Sequence, residues 1–373
     1  MKTERRYDID WLRVIAIALL LIYHIAIVFQ PWAMFIAFLR SDEISTAIWQ
    51  PMTMLNVWRI PILFYVSGMG VHFALRKRNN IELLKERARR ILVPFLFGFV
   101  ALTPLHMYVF QEYYNMPLSY YPHMGHLWFL GNIFIYVLIG LPIFYGIKKG
   151  VFSKLISFLM RLFNNPLGLL SVNVFFVAEV LLFQPKPFAM YAQTWHGFAI
   201  GFLAFFFGFF FMKTGKVFWN TVKQWKWFFL GLAAILYTVR YVIYAAEGPL
   251  YLTVVESNSW IFSIFGFFYQ YLNKPSKTLS YLSKAAYPVY IIHMIVLYLA
   301  AKFLLPLHLP ALMAFALITF ITFMGCYLLY EFVIRRITFL RPLFGLNWKI
   351  KSVSEQNIKS SLELARKVER TNV

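Results

Sequence analysis

The sequence predicts an all-α polytopic membrane protein of about ten transmembrane helices, with the N- and C-termini cytoplasmic. Three observations carry that prediction. Of the 373 residues, 61% are hydrophobic, 20% aromatic and only 14% charged, with a mean hydropathy of +0.64. A soluble domain needs a polar surface that this composition cannot supply. Apolar stretches of spanning length recur along the chain. Finally, 31 of the 36 Lys and Arg residues fall at the two ends or in every second connection. That asymmetry is the positive-inside rule. It makes the net charge of +21 a signal of orientation and of contact with anionic membrane lipids, and excludes nucleic acid as the partner.

The spans are expected at 11–31, 50–75, 91–111, 126–147, 167–184, 196–212, 227–246, 250–270, 285–305 and 310–332. Ten crossings return the chain to the side on which it began, and an eleventh forms if 151–165 enters the bilayer. The first stretch runs on without a small-residue cleavage site and so reads as a span, not a signal peptide. The connection RKRNNIELLKERARR (76–90) predicts a short basic amphipathic helix with Ile81, Leu83, Leu84 and Ala88 against the membrane or neighbouring helices. The stretch EYYNMPLSYYPHMG (112–125) is aromatic and polar, as an external interfacial or re-entrant loop would be. These elements make one membrane domain, 1–346, and a polar cytoplasmic tail, 347–373. Cys326, the one cysteine, excludes an internal disulfide and reads as a small buried hydrophobe.

Chemistry-bearing residues stand out against this apolar background. Arg13 and His24 are eleven positions apart on the first span. Eleven helical steps come to about 20° past three full turns, so both lie on one face, about 16 Å apart along the axis. Asp10 shares that stripe, about 40° from His24. Ionisable groups at bilayer depth are costly and usually face a bundle interior or a polar cavity. His126, His196 and His293 also fall at or near membrane depth, where a helix-packing hydrogen bond competes with proton exchange.

Arg59, inside WRIPILFYVSGMG, requires a carboxylate, a carbonyl cluster or an anionic ligand. Its structural alternative is an ion pair with Glu179 or Glu331. Ser67-Gly68 reads as a small pair that permits close helix packing, with a serine nucleophile as the alternative. Arg87 and Arg90 share a helix side at i and i+3. They suit either a topology anchor or a clamp for phosphates. Glu331 and Arg335 at i and i+4 read as a local salt bridge. No metal-ligand spacing, Gly-rich phosphate loop or internal repeat is present.

Six pieces, in order, resemble the membrane-bound acyltransferase family 3. They are RRYDIDWLRVIAIALLLIYH, RIPILFYVSG, KERARRILVPFLFG, GHLWFLGNIFIY, YPVYIIH and EFVIRRITFLRPLFG. The first and fourth look closest to the branch containing glucan biosynthesis protein C, which succinylates osmoregulated periplasmic glucans. The family's arginine–ten residues–histidine motif falls on Arg13 and His24, and its Arg-x-x-Arg motif on Arg87 and Arg90. Met69 stands where many members carry Phe.

The resemblance implies an integral O-acyltransferase of the inner (cytoplasmic) membrane. It would move an acetyl or succinyl group from cytoplasmic acyl-CoA (acetyl-CoA or succinyl-CoA) to a hydroxyl of an extracytoplasmic glycan or other envelope acceptor. His24, Arg13 and Asp10 would be catalytic, and Arg87, Arg90 and Arg13 would hold the acyl-CoA. Arg59, His126, His293, Ser67 and Glu331 are candidates for the acceptor or the thioester oxyanion. No permanently bound cofactor and no metal is expected, and a homo-oligomer is allowed. The competing reading is a polytopic transporter of a small anionic solute, since buried Arg and His are ordinary there too.

Overall fold

The computed structural model describes residues 5–348. Its helices are α1 (Tyr7–Ile27), α2 (Thr46–Leu75), α3 (Asn80–Tyr113), α4 (Gly125–Lys148), α5 (Ser153–Leu162) and α6 (Pro166–Phe183). They continue as α7 (Trp195–Thr214), α8 (Lys216–Ile243), α9 (Leu250–Tyr271), α10 (Lys277–Leu307) and α11 (Ala311–Ile334). Among the described residues there is no strand. Among the described residues, nine helices are long and apolar enough to cross a membrane. The remaining expected crossing, 250–270, is α9, 22 residues long, whose hydropathy is lowered by the buried run Glu256-Ser257-Asn258-Ser259. At ten residues, α5 is too short to cross. Of the tail 347–373, only Asn347 and Trp348 are described; the rest lies outside the described residues.

Helix α1 begins four residues earlier than hydropathy predicts and ends at Ile27, four residues short of Pro31. Its first turn is polar, so an apolar window misses it. Asp8 and Asp10 favour the helix N-terminus electrostatically, and each is held by an arginine. Arg6 donates to buried Asp8 at 2.9 Å, and Arg5 reaches Asp10 at 2.8 Å. With these bounds His24 stands in the last turn of α1.

The expected separate basic helix at 76–90 is the first part of α3. Asn79 caps it by accepting from the Glu82 amide at 2.8 Å, and Glu82 bonds back to the Asn79 amide. Nothing after Arg90 breaks the helix; it widens instead into π turns at Ala88–Leu92 and Gly98–Leu102. Each π turn leads directly to a proline, Pro94 and Pro104. A proline removes one N–H and crowds the carbonyl four residues back, and a widened turn relieves both.

Helix α2 lies at the centre, packed on α1, α4, α7 and α9, while α10 packs on α1 and α11. The crossing of α2 and α7 is close because glycine sits on both sides. A Cβ at Gly68 would lie 1.8 Å from the Phe205 carbonyl oxygen, and one at Gly208 would lie 2.1 Å from that of Tyr65. The polar run of α9 is satisfied internally. Arg240 donates to both Glu256 oxygens, at 2.6 and 2.9 Å, and the Tyr65 hydroxyl donates to Asn258 at 2.9 Å. Asn258 in turn donates to Asn173 at 2.8 Å.

Candidate active site

Arg13 of α1 and Arg87 and Arg90 of α3 line one cavity of about 400 Å³. Glu86 holds the pair in register, with its carboxylate 3.0 Å from Arg90 Nε and 3.4 Å from Arg87 Nε. Arg87 also donates from Nη2 to the Gly70 carbonyl at 3.0 Å. Arg90 belongs to the π turn and Arg87 ends the α segment before it. Three further cavity residues were not singled out in the sequence, Lys284 and Tyr287 of α10 and Asn347. Lys284 reads in sequence as one more inner-loop charge, so nothing local marks it.

The lining recedes along three helices at helical spacing. On α1 it runs from Arg13 to Ile17, on α2 from Ser67 to Leu63, and on α10 from Ser283 through Tyr287 to Tyr290. Continued by one or two turns, these stripes reach His24, Arg59 and His293. Tyr290 joins the two regions. Its ring lines the cavity, its hydroxyl donates to the His126 carbonyl at 2.6 Å, and its carbonyl accepts from His293 Nδ1 at 2.6 Å.

His24 and His293 are hydrogen-bonded, Nδ1 to Nε2, at 2.8 Å. Their planes differ by 4° and their centroids are 5.1 Å apart, so the rings meet edge to edge. The His126 ring lies 4.8 Å from that of His293, and its Nε2 bonds the Ile291 carbonyl at 3.2 Å. Two further histidines continue the cluster: His106 lies 6.3 Å from His126 and 5.3 Å from His123. Five of the eight histidines thus come together from α1, α3, α4, α10 and the 114–124 loop. The sequence reading missed His106 and His123. The short span from 106 to 126, with three histidines around one external loop, was the available signal.

Arg59 is 3% exposed and finds neither expected carboxylate. Glu179 is bonded to His196 at 2.8 Å, and Glu331 to Arg335 at 2.7 Å and to the Tyr281 hydroxyl at 3.0 Å. The Arg59 guanidinium lies over the Tyr23 ring, and its Nε and Nη1 are buried without a hydrogen-bond partner. The other expected residues stand apart from the histidines. Ser67 lines the cavity but donates its hydroxyl proton to the Leu63 carbonyl at 2.8 Å, as a packing serine does. Asp10 is bonded to Arg5 and lies 3.7 Å from Arg13. Glu331 belongs to the Tyr281–Arg335 cluster, and His196 to the Glu179 pair. No group of His, Cys, Asp and Glu suited to a metal ion occurs among the described residues.

A family model described as an acyltransferase domain matches residues 6–331, and the chain belongs to that family, acyltransferase family 3. No curated protein and no solved structure matches. With its membrane-spanning helices, the chain is a multi-pass membrane acyltransferase.

Proposed function

We propose that this family member takes an acetyl or succinyl group from acyl-CoA on the cytoplasmic side and transfers it to a hydroxyl of an extracytoplasmic acceptor. The glycan acceptor and the glucan biosynthesis protein C branch rest on the sequence resemblance, as does placement in the cytoplasmic membrane. The observation that carries the reading is the cavity itself. Arg13, Arg87 and Arg90 line it together, and the stripes it follows on three helices continue to His24, Arg59 and His293. Arginine presents planar pairs of N–H donors that match phosphate oxygens, so Arg13, Arg87 and Arg90 hold the donor's phosphates, with Lys284 opposite. The pantetheine arm follows the α1 stripe over the roughly 16 Å from Arg13 to His24.

In the reaction, His24 accepts the proton of the acceptor hydroxyl. The oxygen forms its bond to the thioester carbonyl carbon, the carbon–sulfur bond breaks, and the thiolate takes the proton from His24. The products are an ester and free CoA thiol. Arg59 provides the cationic end of the site. Its unpaired N–H groups suit a carboxylate on the acyl group, as a succinyl donor carries. His24→Ala, assayed in purified membrane protein, is expected to abolish acceptor-dependent thiol release while insertion and folding persist. Near-normal release would overturn the assignment.

A further inference from the structure

The hydrogen bonds around His293 form a one-way chain. Its Nδ1 faces the Tyr290 carbonyl at 2.6 Å, and a carbonyl only accepts, so Nδ1 carries the proton. In the neutral ring Nε2 is then a lone-pair acceptor. The atom facing it at 2.8 Å is His24 Nδ1, which must therefore be the donor. A neutral His24 with its proton on Nδ1 keeps the lone pair on Nε2. Packing supports the same orientation. His293 is fully buried, its ring is nearly coplanar with that of His24, and the His126 ring closes its other side at 4.8 Å.

From this chain we infer that His293 is a positioning residue, which fixes the tautomer of His24 and so makes Nε2 the nitrogen that takes the acceptor's proton. The inference rests on the reading of His24 as general base. An imidazole free in water prefers its proton on Nε2, the tautomer with the wrong nitrogen protonated for this role. Holding Nδ1–H against His293 removes that loss, and Tyr290 enforces it from the helix backbone. The dyad differs from a carboxylate–imidazole pair because its second member is neutral. His293 orients the base without adding a negative charge at membrane depth, where one is costly. When Nε2 gains the hydroxyl proton, the Nδ1–H···Nε2 bond remains, and the Nε2 proton leaves to the thiolate. Around His24 also stand Tyr23 on its own helix, Arg59 across on α2 and the Phe38 ring at 5.8 Å, and none of them accepts from Nδ1 among the described hydrogen bonds.

The test joins a spectroscopic readout to kinetics. Protein carrying ¹⁵N-histidine, with the His24 signals assigned by difference from His24→Ala, should show His24 protonated on Nδ1. In His293→Phe, which keeps a ring but removes the acceptor, the signal should move to Nε2–H. The kcat for acyl transfer should fall by about 10- to 100-fold, the scale of losing an orienting hydrogen bond behind a reacting group, while the donor KM stays within about threefold. His293→Gln, which restores an acceptor oxygen, should recover most of the kcat and the Nδ1–H signal. If His24 carries Nε2–H in the unsubstituted protein, or His293→Phe retains its kcat while His24→Ala is inactive, His293 has no positioning role. If His24→Ala itself remains active, the parent reading fails instead.

Discussion

The guanidinium carbon of Arg59 stands 3.6 Å from the centre of the Tyr23 ring, and no carboxylate pairs with it among the described residues. A buried arginine without a counter-ion is held by a cation–π contact and by little else. Tyr23 precedes His24, so the unpartnered Nε and Nη1 of Arg59 lie near the proposed general base. Arg59→Met should therefore spare thermal stability in detergent. Its effect should fall on substrate choice, with kcat/KM for succinyl-CoA lowered by about 10- to 100-fold, the worth of one or two hydrogen bonds to a charged group. Acetyl-CoA should be nearly unaffected; equal losses for both donors would move Arg59 from the acyl carboxylate to the thioester oxyanion.

Arg240 is the opposite case. It is 5% exposed and donates to both oxygens of buried Glu256, with the Thr53 and Ala246 carbonyls taking its other N–H groups. Arg240→Met strands the Glu256 carboxylate and should destabilise by about 3–5 kcal/mol. The measurement is the melting midpoint in detergent. The double variant Arg240→Met/Glu256→Leu should recover much of the loss, because no buried charge is then left alone.

These two arginines show what the sequence could and could not reveal. Both sit in apolar segments and look alike in sequence. Only packing shows that one has Glu256 sixteen residues away on a neighbouring helix and the other has no acid. The helices themselves were legible, since a bilayer imposes length and hydropathy on any span. Their ends were not, because the first turn of α1 and the buried run of α9 are polar for internal reasons. The Arg13–His24 stripe followed from helical arithmetic. The His24–His293 bond links positions 269 residues apart, and no local periodicity encodes it.

Gly68 gives a prediction about packing alone. Its missing Cβ is replaced by the Phe205 backbone oxygen, which cannot rotate away. Gly68→Ala must separate α2 from α7, at a cost of about 1–3 kcal/mol for overpacking. Gly70, two residues on, meets nothing within 4 Å. Gly70→Ala should leave the melting midpoint unchanged or raised, which separates a steric effect from a helix-propensity effect.

The 114–124 loop should respond to acid. His123 lies on it, outside the spans, beside the rings of His106 and Tyr121, and its carbonyl accepts from Thr103 at 2.8 Å. Burial lowers its pKa below the usual 6.5. The folded loop then binds a proton more weakly than the unfolded one, so stability rises with pH across that interval. The favourable neutral state is complete above about 6.5 and is lost as pH falls through the folded pKa. Corrected for the intrinsic rate, which itself slows toward acid, hydrogen exchange over residues 114–124 should show an excess of opening at pH 5 over pH 7.5. His123→Phe should remove the excess, and an unaltered excess in that variant would assign the effect to another group.

The proposed phosphate clamp makes the most direct functional prediction. Arg87 and Arg90 share one carboxylate, Glu86, and open on one cavity with Arg13. A donor phosphate arriving there competes with Glu86 for the same N–H groups. Arg90→Ala should raise the acyl-CoA KM by about tenfold or more, the loss of about 1.4 kcal/mol of uniform binding, with kcat little changed. Glu86→Gln should act in the other direction and lower the KM, because both arginines are released to the ligand. Salt distinguishes a phosphate clamp from a topology anchor. Added chloride should weaken donor binding in the unsubstituted protein more steeply than in Arg90→Ala, since one screened contact has been removed. Equal salt slopes, with an unchanged KM in Arg90→Ala, would leave Arg90 as a charge that only orients the third helix.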